Sequence, residues 1–442
     1  MSVFKTFSKS IGTLLITGAI ITVPAAPKFT FNDGKSDLEI TQSYQIWGAY
    51  TRTIDNVPVT DSRADLYLRQ GRLGFKGKVV PSLSYSVLFA YDNIGKDQFT
   101  GTISSPQASP NTTFQMFDLY MQYALDASST FITFGYMRPQ TGHENIAPDA
   151  GIFSIDKALT STYLRSFETG RSNGRETGLN VGGFHTLDWF GALYNVGIFD
   201  MNQVQITGTD LGSRTWNPLL TARTALSFGE PDMKTYKLSP EINAFGSRKG
   251  ITIGGHYAYE GKTDETWDTS AIKYDATKRI YTGALKYVGG FGKTNVTYGG
   301  DFVANFFGLN IDGEFDFLKR ELVGISYHHD SVSTPSVTFT DQVFHIRAGY
   351  IFALPNKQFV EPAFMYSQFA GDDLSVLFPS GKDKVIDAGV NWYINKNNLK
   401  LSLHYVNQSG KPKSLYQTAA PTKTGAVTKR GDMVIVGFQV QI

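Results

Sequence analysis

Several groupings of polar residues in this 442-residue chain have types and spacings that could do chemistry. Gly292-Lys293-Thr294 ends like a phosphate-cradling loop, in which backbone N–H groups and a lysine hold the phosphates. Such a loop needs a glycine where Tyr287 stands, so a hairpin turn is the expected reading. His328, His329 and Asp330 offer metal-ligand atoms, yet adjacent residues on a strand point to opposite faces, which favours a barrel-rim cluster with no ligand. His143-Glu144 offers an acid–base pair, but no nucleophile motif accompanies it. Asp312, Glu314 and Asp316 share one face at spacing two; a divalent ion would suit them, and the polar lining of a pore suits them better.

Cations make the other pattern. Arg72, Lys76 and Lys78 lie on the inward face of one strand, and further inward positions carry Arg223, Lys286, Arg347 and Lys400. The long segment Pro139–Arg175 adds Lys157, Arg165, Arg171 and Arg175, balanced by Glu144, Asp149, Asp156 and Glu168. Cations around a narrow, low-dielectric passage attract anions, and guanidinium forks match the oxygens of phosphate. The inward acids Asp301, Asp312, Glu314 and Asp316 pull the other way, toward cations. The expected anion-binding, pore-lining set is Arg72, Lys76, Lys78, Lys157, Arg165, Arg171 and Arg175, with no catalytic, cofactor or metal residues.

The elements that must hold these side chains are strands. From Leu83 to Tyr91 the outward set is Leu83, Tyr85, Val87, Phe89 and Tyr91. Leu309, Ile311, Phe315 and Phe317 alternate with Asn310, Asp312, Glu314 and Asp316. The same rhythm runs through Ile251–Glu260 and Ile386–Ile394, and ends with Val434, Val436, Phe438, Val440 and Ile442. About 18 such segments of roughly ten residues, separated by Gly, Asn, Asp or Pro, run from Leu38 to the end. Those near Leu220–Phe228 and Arg279–Tyr287 are weak, so 16 strands are equally acceptable. Strands of that length, apolar outside and polar inside, describe a transmembrane antiparallel β-barrel. Hydrocarbon cannot hydrogen-bond a backbone, so the sheet must close on itself. Tyr44, Tyr50, Tyr91, Tyr123, Tyr136, Tyr257, Tyr259, Tyr350 and Phe352 sit where interfacial girdles belong. Val80–Ser82 and Ala127–Ser129 are tight, whereas Asn93–Gln115 and Pro139–Arg175 are long, which sets short periplasmic turns against long outer loops. A barrel this wide cannot be filled by wall side chains, so a water-filled channel is expected.

Composition narrows the field further. The absence of cysteine excludes disulfide scaffolds and cysteine-ligated metals, and a charged fraction of 18% is low for a soluble protein. Lys5 and Lys9 ahead of the apolar run Ile11–Val23 and Ala25 read as a signal peptide over residues 1–25, leaving 26–442 as the barrel. Its removal takes two bases and no acid, so basic and acidic residues become equal at 39 each. Formal neutrality gives no support for a nucleic-acid partner.

Arg69-Gln-Gly-Arg-Leu-Gly-Phe-Lys-Gly77 with Leu83–Asp92 resembles the second and third strands of the phosphate-selective porin O and P family. Phe117–Tyr123, Phe131–Pro139, Tyr163–Phe167, Gly174-Arg-Glu-Thr-Gly178 and Ala192–Phe199 follow in family order. The resemblance covers about residues 65–200. It implies an outer-membrane channel of 16 strands, usually a homotrimer, with a third outer loop that constricts the pore; by order that loop is Pro139–Arg175. The expected function is passive diffusion of small hydrophilic solutes, with phosphate or other anions as the family-level preference, outer-membrane lipid as surroundings and no cofactor. An enzyme or adhesin acting through outer loops of the barrel is the alternative.

Overall fold

The alternation read above closes into a barrel. The computed structural model describes residues 25–52, 62–94, 114–125, 129–169, 173–187, 189–200, 218–264, 267–268, 273–275, 280–282, 286–287, 291–323, 336–372, 381–410 and 431–442. The signal peptide expected over residues 1–25, Arg171 and His328-His329-Asp330 fall on or largely on residues outside that set.

Sixteen strands form the wall: β1 Ser36–Arg52, β2 Ser62–Val80, β3 Leu83–Ile94, β4 Gln115–Ala124, β5 Thr130–Met137, β6 Glu176–Leu187, β7 Phe190–Phe199 and β8 Leu219–Gly229. The second half comprises β9 Gly250–Asp264, β10 Phe291–Phe306, β11 Leu309–Val323, β12 Ser336–Tyr350, β13 Phe359–Ala370, β14 Lys382–Asn395, β15 Leu399–Gly410 and β16 Gly431–Gln441. Each pairs antiparallel with its chain neighbour, and β16 returns to β1 from Ser43↔Gln441 to Arg52↔Asp432, so no edge is left for lipid to face. Two short accessory strands, Lys28–Phe31 against β1 and Phe352–Ala353 against β13, bring the sheet to 18.

The weak segment Leu220–Phe228 is a full wall strand. Arg279–Tyr287 is not: its Ile280–Thr282 and Lys286–Tyr287 pair only with short pieces of the same loop. Gly292-Lys293 opens β10 rather than a turn, and the backbone there is committed to the sheet.

Facing follows the pleat. Val434, Val436 and Phe438 are exposed outward while Ile435 and Gln439 are buried inward; on β11, Leu309 and Phe315 face out and Asn310, Asp312, Glu314 and Asp316 face in. A bulge in β2 breaks this rule usefully. Gln45 pairs with Gln70 and Ile46 with Leu68, which leaves Arg69 as an extra residue. Arg69 and Gln70 therefore both reach the lumen, one to Asp156 at 2.7 Å and the other to Asp149 at 3.3 Å.

The inward side chains of the β10–β14 wall are buried because the chain folds back over them. Residues 138–169 enter the lumen with two helices, α1 His143–Ile146 and α2 Leu159–Thr169. Tyr163, Leu164 and Phe167 of α2 pack on Leu318, Val343 and Phe369, with the rings of Tyr163 and Phe369 stacked at 4.0 Å. Ala147, Ile152 and Phe153 pack on Val303 and Ala363, joined by Ile242 from the segment between β8 and β9.

Leu403 on β15 faces outward and is 55% exposed. Leu403→Arg is expected to lower the unfolding free energy in lipid vesicles by about 2–4 kcal/mol, read by urea titration.

Candidate functional site

The lumen is organised by what holds residues 138–175 against the wall. Arg347 on β12 is completely buried and bonds Glu144 of α1 at 2.8 and 3.3 Å and Asp312 of β11 at 3.0 Å. His345 joins Asp312 at 2.9 Å through Nε2 and meets Thr160 of α2 at 2.9 Å through Nδ1. The wall also satisfies the inserted backbone. Glu314 accepts the N–H of Glu144 at 2.8 Å, Asp387 that of Ile155 at 2.8 Å, and Ser367 that of Leu159 at 3.0 Å. Asn391 donates to the Phe153 carbonyl at 2.6 Å and Lys400 to that of Ile152 at 3.2 Å. Gly142 stands where a Cβ would meet the Glu314 carboxylate, so any larger residue would displace that side chain from the Glu144 N–H. At the far end Gly174, at φ +64°, turns the chain back over Arg165.

These contacts revise the roles expected of several residues. Asp301, Asp312, Glu314 and Asp316 are buried beneath the inserted segment instead of lining a pore. Arg223 is buried in a two-point pair with Asp301, and Arg347 and Lys400 are fastenings of the insert. The side chain of Lys286 lies outside the described set. His143-Glu144 is no acid–base pair: Glu144 grips Arg347 and accepts the Ala158 N–H at 2.7 Å. Glu144, Asp312 and His345 bring ligand-type atoms within 4.8 Å of one another, but the Arg347 guanidinium supplies the positive charge there.

The opposite face of residues 138–175 carries the bases. Asp149 is the hub, with Arg72 and Lys157 at 3.6 Å, Arg138 at 3.8 Å and Arg165 at 3.9 Å. Burial alone would raise the Asp149 carboxyl, but Lys157, Arg138, Arg165 and Arg72 together hold it well below the usual carboxylate range. Lys157 is pinned to the carbonyls of Glu144 at 2.6 Å and Ala147 at 2.5 Å; burial, then the neighbouring Arg165 and Arg138, lower its ammonium well below the ordinary lysine range. Arg165 donates to the Asn145 side chain at 3.0 Å, and burial lowers it to about 10. Arg72 and Arg175 lie over the ring of Phe117 at 4.5 and 4.1 Å, the first paired with Asp92 and the second with Asp118 at 2.9 Å.

A cavity of about 570 Å³ opens beside this cluster, walled by β1–β4 and lined by Arg72, Lys76, Arg138 and Arg175 together with Glu39, Asp118 and Asp149. Of the seven residues expected in an anion-binding set, Arg72, Lys76 and Arg175 line it, Lys157 and Arg165 lie behind it around Asp149, and Arg171 is outside the described residues. Lys78 is exposed at the rim, where its N–H bonds Asp37 at 3.0 Å. Arg138 and Gln70 also line the cavity, and neither is in the expected set. Arg138 stands in the strand-to-loop motif Phe131–Pro139, where only the register of the insert brings it inward.

Arg347→Met leaves Glu144 and Asp312 buried without their guanidinium. The expected loss is about 3–5 kcal/mol in urea unfolding, with Arg347→Lys partly restoring it. Glu168, bonded by Thr141 at 2.9 Å and Thr297 at 2.7 Å, is pushed up to about 8 by burial. A carboxyl raised on folding stabilises below its unfolded value and loses that contribution as pH climbs through about 8. Glu168→Gln should therefore flatten the fall in stability between about pH 4.5 and 8, measured by denaturation at a series of pH values.

Residues 337–442 match the sequence profile of the family described as phosphate-selective porin O and P. No curated protein matches the chain by sequence. Among solved structures, OmpF of Salmonella typhi, crystallised with daunomycin, is 14% identical, with 94% of this chain and all of that one covered at a TM-score of 0.53. OprB of Pseudomonas putida, in a high-pH structure, is 12% identical over 92% of this chain and 94% of its own at a TM-score of 0.51. At such identities the likeness is one of fold. With its closed wall, apolar outer face and C-terminal match, the chain is an outer-membrane β-barrel of porin architecture, of the Gram-negative type.

Proposed function

We propose that the barrel is a passive channel for small hydrophilic solutes with a modest preference for anions. The observation that carries this is the cavity beside residues 138–175, whose charged lining is four bases against three acids. A solute there meets Lys76 and the edge of Arg72, with Arg138 and Arg175 set into the lining, while Asp312, Glu314 and Asp316 are covered by the insert. Bases near a confined aqueous path raise the local anion concentration, and the three acids moderate the effect.

A stronger preference, for phosphate, is favoured by one arrangement. Three guanidinium forks, Arg72, Arg138 and Arg165, share the carboxylates of Asp149 and Asp92, so the arrangement favours an anion with several oxygens. The match of residues 337–442 supports the same reading. Arg72 and Arg175 are the residues proposed to meet the anion first, Lys76 to draw it in, and Lys157 and Arg165 to hold the insert in register. A homotrimer and a cleaved leader over residues 1–25 complete the proposal, on the family resemblance and on the run Ile11–Val23.

The deciding measurement is the reversal potential in a planar bilayer under a KCl gradient, for the natural chain and for Arg72→Gln/Arg175→Gln. Anion-leaning current that moves toward cation selectivity in the variant is the expected result. Current reduced by added phosphate only in the natural chain would establish the phosphate reading, and absence of current would transfer the function to the outer loops.

A further inference from the structure

The turns at the end of the barrel that carries both termini are short between β2 and β3, β10 and β11, and β14 and β15, as periplasmic turns are. Residues 230–249, between β8 and β9, break that pattern. They are long and folded inward, with Met233, Tyr236, Ile242, Asn243 and Arg248 buried.

Their contacts run across the lumen. Near its own strands the segment is fastened by Arg248, which donates to Asn305 and to Thr252 at 2.7 Å each, and by Tyr236, bonded by Asn180 at 3.0 Å. On the far side Asn243 donates to Glu361 of β13 at 3.0 Å and Tyr393 of β14 at 3.1 Å, and Phe245 packs its ring on Phe359 and Tyr393 at 5.5 and 5.0 Å. Asn310 of β11 donates to Asn243 at 3.3 Å from beneath. The middle of the segment meets the insert, which enters from the other end of the barrel: Ile242 packs on Ala147, Ile152 and Phe153, and Ser239 bonds the Ile146 carbonyl.

We propose that residues 230–249 are a second lumenal barrier, a chord from β8–β9 to β13–β14 that closes the β9–β13 sector from the periplasmic end. With residues 138–175 above it, the chord confines solute to the sector walled by β1–β4. Selectivity then depends on this turn as well as on the bases, because the chord keeps Glu361 and Asn310 out of the aqueous path. This deepens the channel reading of the preceding subsection and rests on it for its functional meaning.

The natural chain has no cysteine, so single thiols report water access directly. Ser43→Cys places one in the β1–β4 cavity, and Asn310→Cys places one beneath the chord. With the full-length protein in vesicles and a charged methanethiosulfonate as probe, Asn310→Cys is expected to react at least about tenfold more slowly than Ser43→Cys, the two becoming equal in urea. Replacing residues 233–246 by a short Gly-Asn turn in the Asn310→Cys chain should remove that protection while the band remains heat-modifiable. Equal rates in the intact chain, or protection that survives in a folded turn-replaced barrel, would overturn the proposal. Labelling does not depend on current, so a chord without conduction and a conducting pore without a chord give different results.

Discussion

A β-sheet in hydrocarbon must close, and closing sixteen strands makes a ring too wide for wall side chains to fill. The inward positions of this wall carry groups that water would ordinarily satisfy: Asp301, Asp312, Glu314, Arg347, Asp387 and Asn391. Here they are met by the chain itself. Arg347 joins a carboxylate from each side of the gap, one on β11 and one on α1. The energetic logic is asymmetric. Such a buried ion pair adds little over an apolar contact of equal volume, but losing one partner strands the others, so the insert is locked to one position. Placement of Asp149, and with it the entire basic cluster, inherits that position.

The fold was legible in the sequence because a closed barrel imposes the same two-residue alternation on every strand, and nothing local competes with it. Val434–Ile442 and Leu309–Phe317 face as their patterns require. Pattern alone could not separate a wall strand from a strand-like stretch in a loop. Leu220–Phe228 and Arg279–Tyr287 look alike by composition, and only pairing partners far away in sequence distinguish them. The bulge at Arg69 escaped for the same reason, since it is a relation between β1 and β2 and leaves no mark in β2 alone.

The site was half legible. Alternation says which residues point inward; it does not say what covers them afterwards. Asp312, Glu314, Asp316 and Arg347 were correctly placed on the lumenal face and misread as wetted, because Glu314 and Arg347 meet Glu144 of the insert, 170 and 203 residues away, and Asp312 and Asp316 pair with other wall residues beneath it. Lys76 keeps the exposure expected of it, whereas Arg72 is largely covered and Arg175 is buried against Phe117 and Asp118. An equal count of acids and bases in 139–175 suggested a neutral loop. The acids Glu144 and Glu168 turn to the wall and the bases Arg165 and Lys157 gather on the cavity side, so a balanced composition becomes a polarised object.

The wall is also uneven in height. β10 has 16 residues and β11 and β12 have 15, whereas β4 has 10 and β5 only 8. At about 3.3 Å per residue and a tilt near 40°, eight residues rise about 20 Å along the membrane normal, against an apolar band about 25 Å tall. Lipid beside β5 must thin by roughly 5 Å, at a fraction of a kcal/mol for each ångström of mismatch, whereas the ten residues of β4 just span the band. The strain is greatest along β5, the strand paired with the one that carries Phe117 and Asp118, so the wall beside the cationic cavity is also where the bilayer fits worst.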